Sequence, residues 1–179
     1  MKKKILITGG TGFLGSNLLY YFSKKKYKVF FTGRNILKGQ EIEKKTKTKF
    51  YPLVLENNQN VLEVFGTVRP DIVIHCAALK YVDFSEKFPL ECVRSNIIGS
   101  QNILLAARHF NCTKLIIISS DKASPPFNNI YGMSKAVMEK LFLLDNVSKK
   151  IDLCLIRFGK FSLVNGICFT VMEKNEKRK

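Results

Sequence analysis

A chain of 179 residues, 46% of them hydrophobic and only five of them proline, is long enough to bury the core of one domain and too ordered in composition for a disordered segment. Its apolar runs are short and broken by charge, and Lys2, Lys3 and Lys4 lead straight into a strand-like segment without a small-residue cleavage site. Neither a membrane span nor a secretory signal is therefore expected, and the cytoplasm is the default compartment. The net charge of +16 is spread over scattered lysine clusters with no nucleic-acid motif, so it reads as a solvated basic surface that favours a small anionic ligand over a nucleic acid.

Taken in chain order, residues 5–7 form a short buried strand, and Thr8-Gly9-Gly10-Thr11-Gly12-Phe13-Leu14-Gly15 turns it into a helix beginning near Phe13. Gly9, Gly12 and Gly15 stand three apart. The first suits a tight turn, the second a close approach of backbone to pyrophosphate, and the third close packing of helix on strand, with the helix N-terminus facing the phosphates. Placed directly after the first strand, this loop is read as a dinucleotide site contacted through Gly9, Thr11, Gly12, Phe13, Leu14 and Gly15. Residues 28–32 are a second strand ending at Gly33-Arg34-Asn35. A carboxylate there would bind the adenosine ribose hydroxyls of NAD, whereas Arg34 suits the 2′-phosphate of NADP, so NADP is expected, with NAD as the alternative.

A basic helix over 36–45, a strand over 50–55 and a helical segment over 61–65 closed by Gly66 come next. The strand over 71–75 ends in His75, read as packed rather than catalytic. Beyond Cys76, Ala77 and Ala78 are small enough for the backbone to pass close to a cofactor. Residues 89–110 read as one long helix interrupted by Asn96 and Gly99, and on spacing alone Asn96 is either solvated or hydrogen-bonded near the cofactor strands. Residues 115–118 have the length and branching of a strand buried on both faces, and polar chemistry begins where it stops, at Ser119-Ser120-Asp121-Lys122.

After a Pro125-Pro126 turn, Tyr131 and Lys135 lie four apart at the head of a helix, on one face. Tyrosine ionises near pH 10 when unperturbed, so acting as a base near neutral pH requires a cation close to the phenolate, a role Lys135 can fill. Ser119 or Ser120 can hold the substrate oxygen against Tyr131. Tyr20/Lys24 and Tyr21/Lys25 repeat the spacing but follow no such strand and read as helix surface. Residues 152–157 are a sixth strand. Strands alternating with helices predict an α/β fold, a doubly wound parallel sheet of the Rossmann NAD(P)-binding type over residues 1–165, followed by a charged, frayed tail over 166–179. The five cysteines are widely spaced without a C-x-x-C pair, and with only two histidines they predict reduced, mostly buried thiols and no metal site.

Three stretches, TGGTGFLGSNL, HCAALKYVDFSEKFPLECVRSNIIGSQNIL and SSDKASPPFNNIYGMSK, resemble the extended short-chain dehydrogenase/reductase superfamily. Within it, they are most similar to the inverting UDP-N-acetylglucosamine 4,6-dehydratases and related polysaccharide-biosynthesis proteins. The resemblance runs to about Gly159, and the Asp-Lys pair beside the serines is its most specific mark. It implies a UDP-N-acetylglucosamine type of nucleotide-sugar substrate whose carbon 4 gives a hydride to the nicotinamide; water then leaves across carbons 5 and 6, and the hydride returns to carbon 6. It implies Tyr131 as base for the carbon 4 hydroxyl, Lys135 as its electrostatic support and Ser120 as a hydrogen-bonding partner. Asp121 would be the acid for the departing hydroxyl and Lys122 the base at carbon 5, the latter needing a neutral lysine, expected from burial near Lys135. Asn96, in the second block, joins Ala77 and Ala78 as an expected cofactor contact.

The sequence departs from the family pattern at Leu53-Val54-Leu55-Glu56, where relatives often carry an Asp against adenine, and at Arg157-Phe158-Gly159-Lys160, where they carry R-[FY]-G-N. Relatives continue into a substrate-binding region that is expected to be largely missing here, so a cofactor-binding fragment of such a dehydratase is included in the reading. The alternatives are a catalytically idle NADP-binding module and a related nucleotide-sugar epimerase or reductase. Homo-oligomerisation is left open.

Overall fold

In the computed structural model the described residues are 2–145 and 151–159; the charged tail expected at 166–179, the boundary expected at 165, Lys160 and Cys168 lie outside them. Six strands, β1 (Lys4–Thr8), β2 (Lys28–Gly33), β3 (Lys49–Pro52), β4 (Ile72–His75), β5 (Lys114–Ser120) and β6 (Asp152–Phe158), form one sheet in the order β3-β2-β1-β4-β5-β6. Every neighbouring pair is parallel. This is the doubly wound Rossmann order, in which the reversal between β1 and β4 opens a crevice beyond the carboxyl ends of the strands.

The helices are α1 (Phe13–Ser23), α2 (Ile36–Thr46), α3 (Asn58–Val68), α4 (Val82–Lys87), α5 (Pro89–Val93), α6 (Gly99–His109) and α7 (Ile130–Asp145). They cover both faces, which is why the strands are almost continuously apolar rather than alternating. On one face Leu6, Phe30, Val73, Leu115 and Ile117 pack against Val61 and Phe65 of α3, Ile103 and Ala107 of α6, and Met138 and Phe142 of α7. On the other, Ile5, Ile7, Val29, Phe31 and Ile74 pack against Leu19 of α1 and Ile42 of α2. Each such side chain, fully buried, contributes about 1.5–3 kcal/mol. No described helix is long and apolar enough to cross a membrane.

Boundaries differ from expectation where a local hydrogen bond overrides the residue pattern. α3 starts at Asn58 because the Asn57 side chain accepts from the Asn60 N–H at 3.0 Å, and it runs through Gly66 to end where Arg69 turns left-handed at φ 49°. A glycine weakens a helix by about 1 kcal/mol without stopping it. β3 stops at Pro52, not at 55; Asn60 then draws the departing chain back, its Oδ1 accepting from the Val54 N–H at 3.0 Å. The helix expected over 89–110 is continuous but not uniform: a π turn, Arg94–Ile98, separates α5 from α6. α4 and a 3-10 turn at Asp121–Ala123 are elements the sequence pattern did not reveal.

Candidate cofactor and catalytic site

The glycine loop is shaped by contacts that leave no space for a side chain. Gly9 is left-handed at φ 69°, and a Cβ on it would stand 2.7 Å from both the N and Cα of Ala77. A Cβ on Gly15 would collide with the Gly9 carbonyl oxygen. β1, α1 and the loop after β4 therefore meet through backbone. The Gly12 N–H donates to the Gly9 carbonyl at 2.9 Å, and Gly12 begins α1 without any side-chain cap, which leaves the first turn of the helix suited to an anion.

A cavity of about 580 Å³ opens over this loop. Gly9, Thr11, Gly12, Phe13, Leu14, Gly15, Arg34, Ala77, Ala78, Ser120, Asp121, Lys122, Tyr131 and Lys135 all line it, together with Ser119. Of the predicted site residues, Asn96 alone does not. Arg34, Lys80, Lys122 and Lys135 line the cavity against two carboxylates, Glu56 and Asp121, a balance that favours an anionic ligand.

At the polar end, Lys135 is 2% exposed. Its ammonium donates to the Ile118 carbonyl at 2.7 Å and lies 3.3 Å from the Met138 sulfur. Burial lowers its pKa to about 8, opposed by Glu139, Cys76 and Cys92. Burial raises the pKa of the Tyr131 phenol, a hydrogen bond with Ser120 lowers it, and Asp121 and Cys92 raise it further. One of the three ammonium N–H groups of Lys135, which shares a helix face with Tyr131, is thus engaged by the Ile118 carbonyl.

Ser120 Oγ donates to Asp121 Oδ1 at 3.0 Å and accepts from the Lys122 N–H at 3.2 Å, and Asp121 Oδ1 also accepts from that N–H at 2.9 Å. Asp121 and Lys122 are exposed towards the cavity, so the burial expected for Lys122 is absent. Their turn lies directly on α7: a Cβ on Gly132 would collide with the Lys122 carbonyl oxygen. Ser119 Oγ is buried and, among the described residues, is the one buried side-chain N or O atom without a hydrogen-bond partner. A hydroxyl left in that state costs about 1–3 kcal/mol, so a ligand atom reaching it is favoured.

His75 is packed, as its position suggested. Its Nδ1 lies 2.7 Å from Thr8 Oγ1 and its Nε2 lies 2.9 Å from Ser100 Oγ, and burial, reinforced by the charge of Lys135, lowers its pKa to about 3. Asn96 is not solvated. Its amide accepts from the Leu79 N–H at 2.7 Å and donates to the Leu79 carbonyl at 2.9 Å and to Ser134 Oγ at 3.0 Å, which ties the loop after β4 to α7. The start of α7 is fixed by Asn129, whose Oδ1 accepts from the Gly132 N–H at 2.7 Å, and by Glu86, which accepts from the Ile130 N–H at 2.6 Å. Sequence reasoning missed Glu86, Ser134 and Glu139, each of which acts through a partner on another element; a buried acid at the i+4 position from Lys135 was the one available signal for Glu139. Cys92 and Cys112 are buried free thiols, whereas Cys76 and Cys154 are only partly buried. Among the described residues no group of three His, Cys, Asp or Glu side chains is placed to hold a metal ion.

A family model described as polysaccharide biosynthesis protein matches residues 5–175. A UDP-glucose 4-epimerase of Rickettsia bellii (strain OSU 85-389) is 36% identical over 177 residues, which cover 92% of this chain and 50% of the relative. The X-ray structure of Pen from Bacillus thuringiensis is 30% identical with a TM-score of 0.82 over 88% of this chain and 50% of that one. A UDP-glucose 4-epimerase from Stenotrophomonas maltophila, solved with bound NAD and formylated UDP-arabinopyranose, is 26% identical with a TM-score of 0.74 over 87% and 52% of the two chains. The chain thus spans about half the length of the curated relatives it matches.

Proposed function

This chain belongs to the polysaccharide biosynthesis protein family, of the extended short-chain dehydrogenase/reductase type, and we propose that it carries the cofactor half of a nucleotide-sugar 4,6-dehydratase site. The observation that carries this reading is one cavity lined by both Tyr131/Lys135 and Asp121/Lys122. The first pair serves any oxidation at carbon 4. The second is needed only when water must leave.

A nicotinamide dinucleotide fits the residues: the glycine cradle admits backbone contact, the start of α1 is uncapped, and Ser119 offers an unpartnered hydroxyl. When bound, the nicotinamide supplies a place for the hydride to go and to return from. Tyr131 takes the carbon 4 hydroxyl proton while Ser120 orients that oxygen. Lys135, whose pKa of about 8 keeps it mostly protonated at pH 7, supports the resulting phenolate through its positive charge. In this reading Lys122 removes the proton on carbon 5, which requires its amine to be neutral once the ligand covers and desolvates it, and Asp121, carrying a proton, gives it to the hydroxyl leaving carbon 6. Arg34 is exposed beside the cavity with no ion-pair partner among the described residues, which supports NADP. The NAD named with the Stenotrophomonas structure supports NAD instead.

A second reading, 4-epimerisation, is supported by the names of the relatives. Incubating the purified chain with NADP or NAD and UDP-N-acetylglucosamine in deuterated water separates the two. Because the chain spans about half the length of its relatives, turnover is expected to be poor at best, and what product forms should be the 4-keto-6-deoxy sugar carrying deuterium at carbon 5. The carbon 4 epimer alone would transfer the assignment to the epimerases, and dinucleotide binding with neither product would mark an idle cofactor-binding module.

A further inference from the structure

Glu139 stands one helical turn beyond Lys135 and two beyond Tyr131, on the same side of α7, and is 5% exposed. Both of its oxygens are engaged by a single guanidinium: Arg157 Nε donates to Oε1 at 2.8 Å and Nη2 to Oε2 at 2.5 Å. The remaining nitrogen, Nη1, donates to Ser124 Oγ at 2.7 Å. Ser124 closes the 3-10 turn, its N–H donating to the Asp121 carbonyl at 3.2 Å, and Arg157 itself pairs in register with Ser119 across β5 and β6. One side chain therefore joins the helix of Tyr131 and Lys135, the strand end beside Ser119 and the turn bearing Asp121 and Lys122. The fork geometry makes this directional, as a lysine's point charge at the same place would not be.

We propose that Arg157 and Glu139 form a positioning pair that holds the turn of Asp121 and Lys122 in register with Tyr131 and Lys135, so that both proton-moving sets face one ligand. The catalytic meaning of that register rests on the dehydratase reading above; the mechanical coupling does not. Glu139 and Arg157 touch neither ligand nor reacting atom in this account. They act through Ser124 and α7.

The test compares wild type, Ser124→Ala and Arg157→Lys by backbone hydrogen–deuterium exchange, with NADP affinity and UDP-N-acetylglucosamine turnover measured alongside. In both variants the amides of Lys122 and Ser124 are expected to exchange about tenfold faster, while the glycine-loop segment over 5–19 changes less than about twofold and NADP affinity holds within about threefold. A uniform rise over all segments would mean a merely structural ion pair, and an unchanged turn would remove the coupling altogether; either result overturns the proposal. If Arg157→Lys fails to fold, Ser124→Ala still decides, because it leaves the Glu139 pairing intact. A wild-type chain without dehydration but with the expected loosening in the variants would sink the dehydratase reading and spare the coupling, whereas normal dehydration by a variant with a loosened turn would sink the positioning role.

Discussion

The two halves of the sheet present their ligand-facing groups by different means. Around β1 and β2 the site is made of backbone: Gly9 against Ala77, Gly15 against Gly9, and the uncapped start of α1. Around β4, β5 and β6 it depends on side chains that reach across elements, as Asn96 holds the backbone of Leu79 and the Ser134 hydroxyl, and as Arg157 holds Glu139 and Ser124. A backbone-built site fails when any atom is added to it. A side-chain-built half loses stability when a residue distant from the ligand is lost. The bridge between them is the Thr8, His75, Ser100 chain, which runs from the end of β1 through β4 to α6.

The largest effect should come from adding one methyl group to the backbone-built half. Gly9→Ala combines a left-handed φ, costing about 1–2 kcal/mol, with overpacking against Ala77 at about 1–3 kcal/mol, so a loss of about 2–5 kcal/mol is expected. Urea titration would register it, together with loss of dinucleotide binding. A variant of wild-type stability would mean that the loop can yield, and the contrast between the halves would dissolve.

Asn96→Leu strikes the other half. It strands the N–H and carbonyl of the buried Leu79, at about 1–3 kcal/mol for each unpaired group, so about 2–4 kcal/mol in all is expected where hydration gives partial relief. Because Asn96 lies outside the cavity lining, dinucleotide affinity of the folded fraction should change little. A large rise in dissociation constant at unchanged stability would instead restore it as a direct cofactor contact.

The bridge can be weighed by pH. His75 is held neutral, with its pKa at about 3 rather than 6.5, chiefly by burial and secondarily by Lys135. As pH falls the unfolded chain takes up this proton before the folded one does, so the contribution is complete above pH 6.5 and is lost as pH falls towards 3. The slope is about 1.4 kcal/mol per pH unit, or about 2–3 kcal/mol between pH 6.5 and 4.5. Urea midpoints over that window should fall more steeply for wild type than for His75→Gln. Parallel slopes would show that this ring is not held neutral.

The smallest effect concerns an exposed side chain at the rim of the backbone-built half. Arg34→Ala should weaken NADP binding about tenfold, equivalent to about 1.4 kcal/mol, and leave NAD unchanged. Equal affinities for the two dinucleotides in wild type would leave Arg34 without a specificity role.

What could be read without coordinates was local. The glycine spacing, the i to i+4 placing of Tyr131 and Lys135, and the buried strand ending at Ser119 are written within a few consecutive residues, and together with the alternation of strands and helices they pointed to the parallel sheet and to part of the cavity's lining, while Lys80, Tyr81 and Ser95 were found there only in the structure. Helix ends were less legible: α3 passes Gly66 and stops at Arg69, because capping by Asn57 and the turn at Arg69 depend on particular hydrogen bonds rather than on residue type. The Ser119 hydroxyl was visible as a residue but not as an orphan, since only the packed structure excludes both water and partner.

The sequence by itself determined the doubly wound parallel sheet and many of the groups at the cavity, because both follow from short-range periodicity and from strand ends, whereas the strand order was seen only in the structure. Tertiary structure alone decided what those groups are tied to. Thr8 and His75 meet across 67 residues, Asn96 and Leu79 across 17, and Arg157 and Glu139 across 18, and none of these pairings has a repeat or spacing that announces it. They arise from the register of parallel strands and from which helix face the crossover lays against the sheet. The ionisation of Lys135 has the same origin: a free lysine titrates near 10.5, and burial beneath α7 lowers that to about 8.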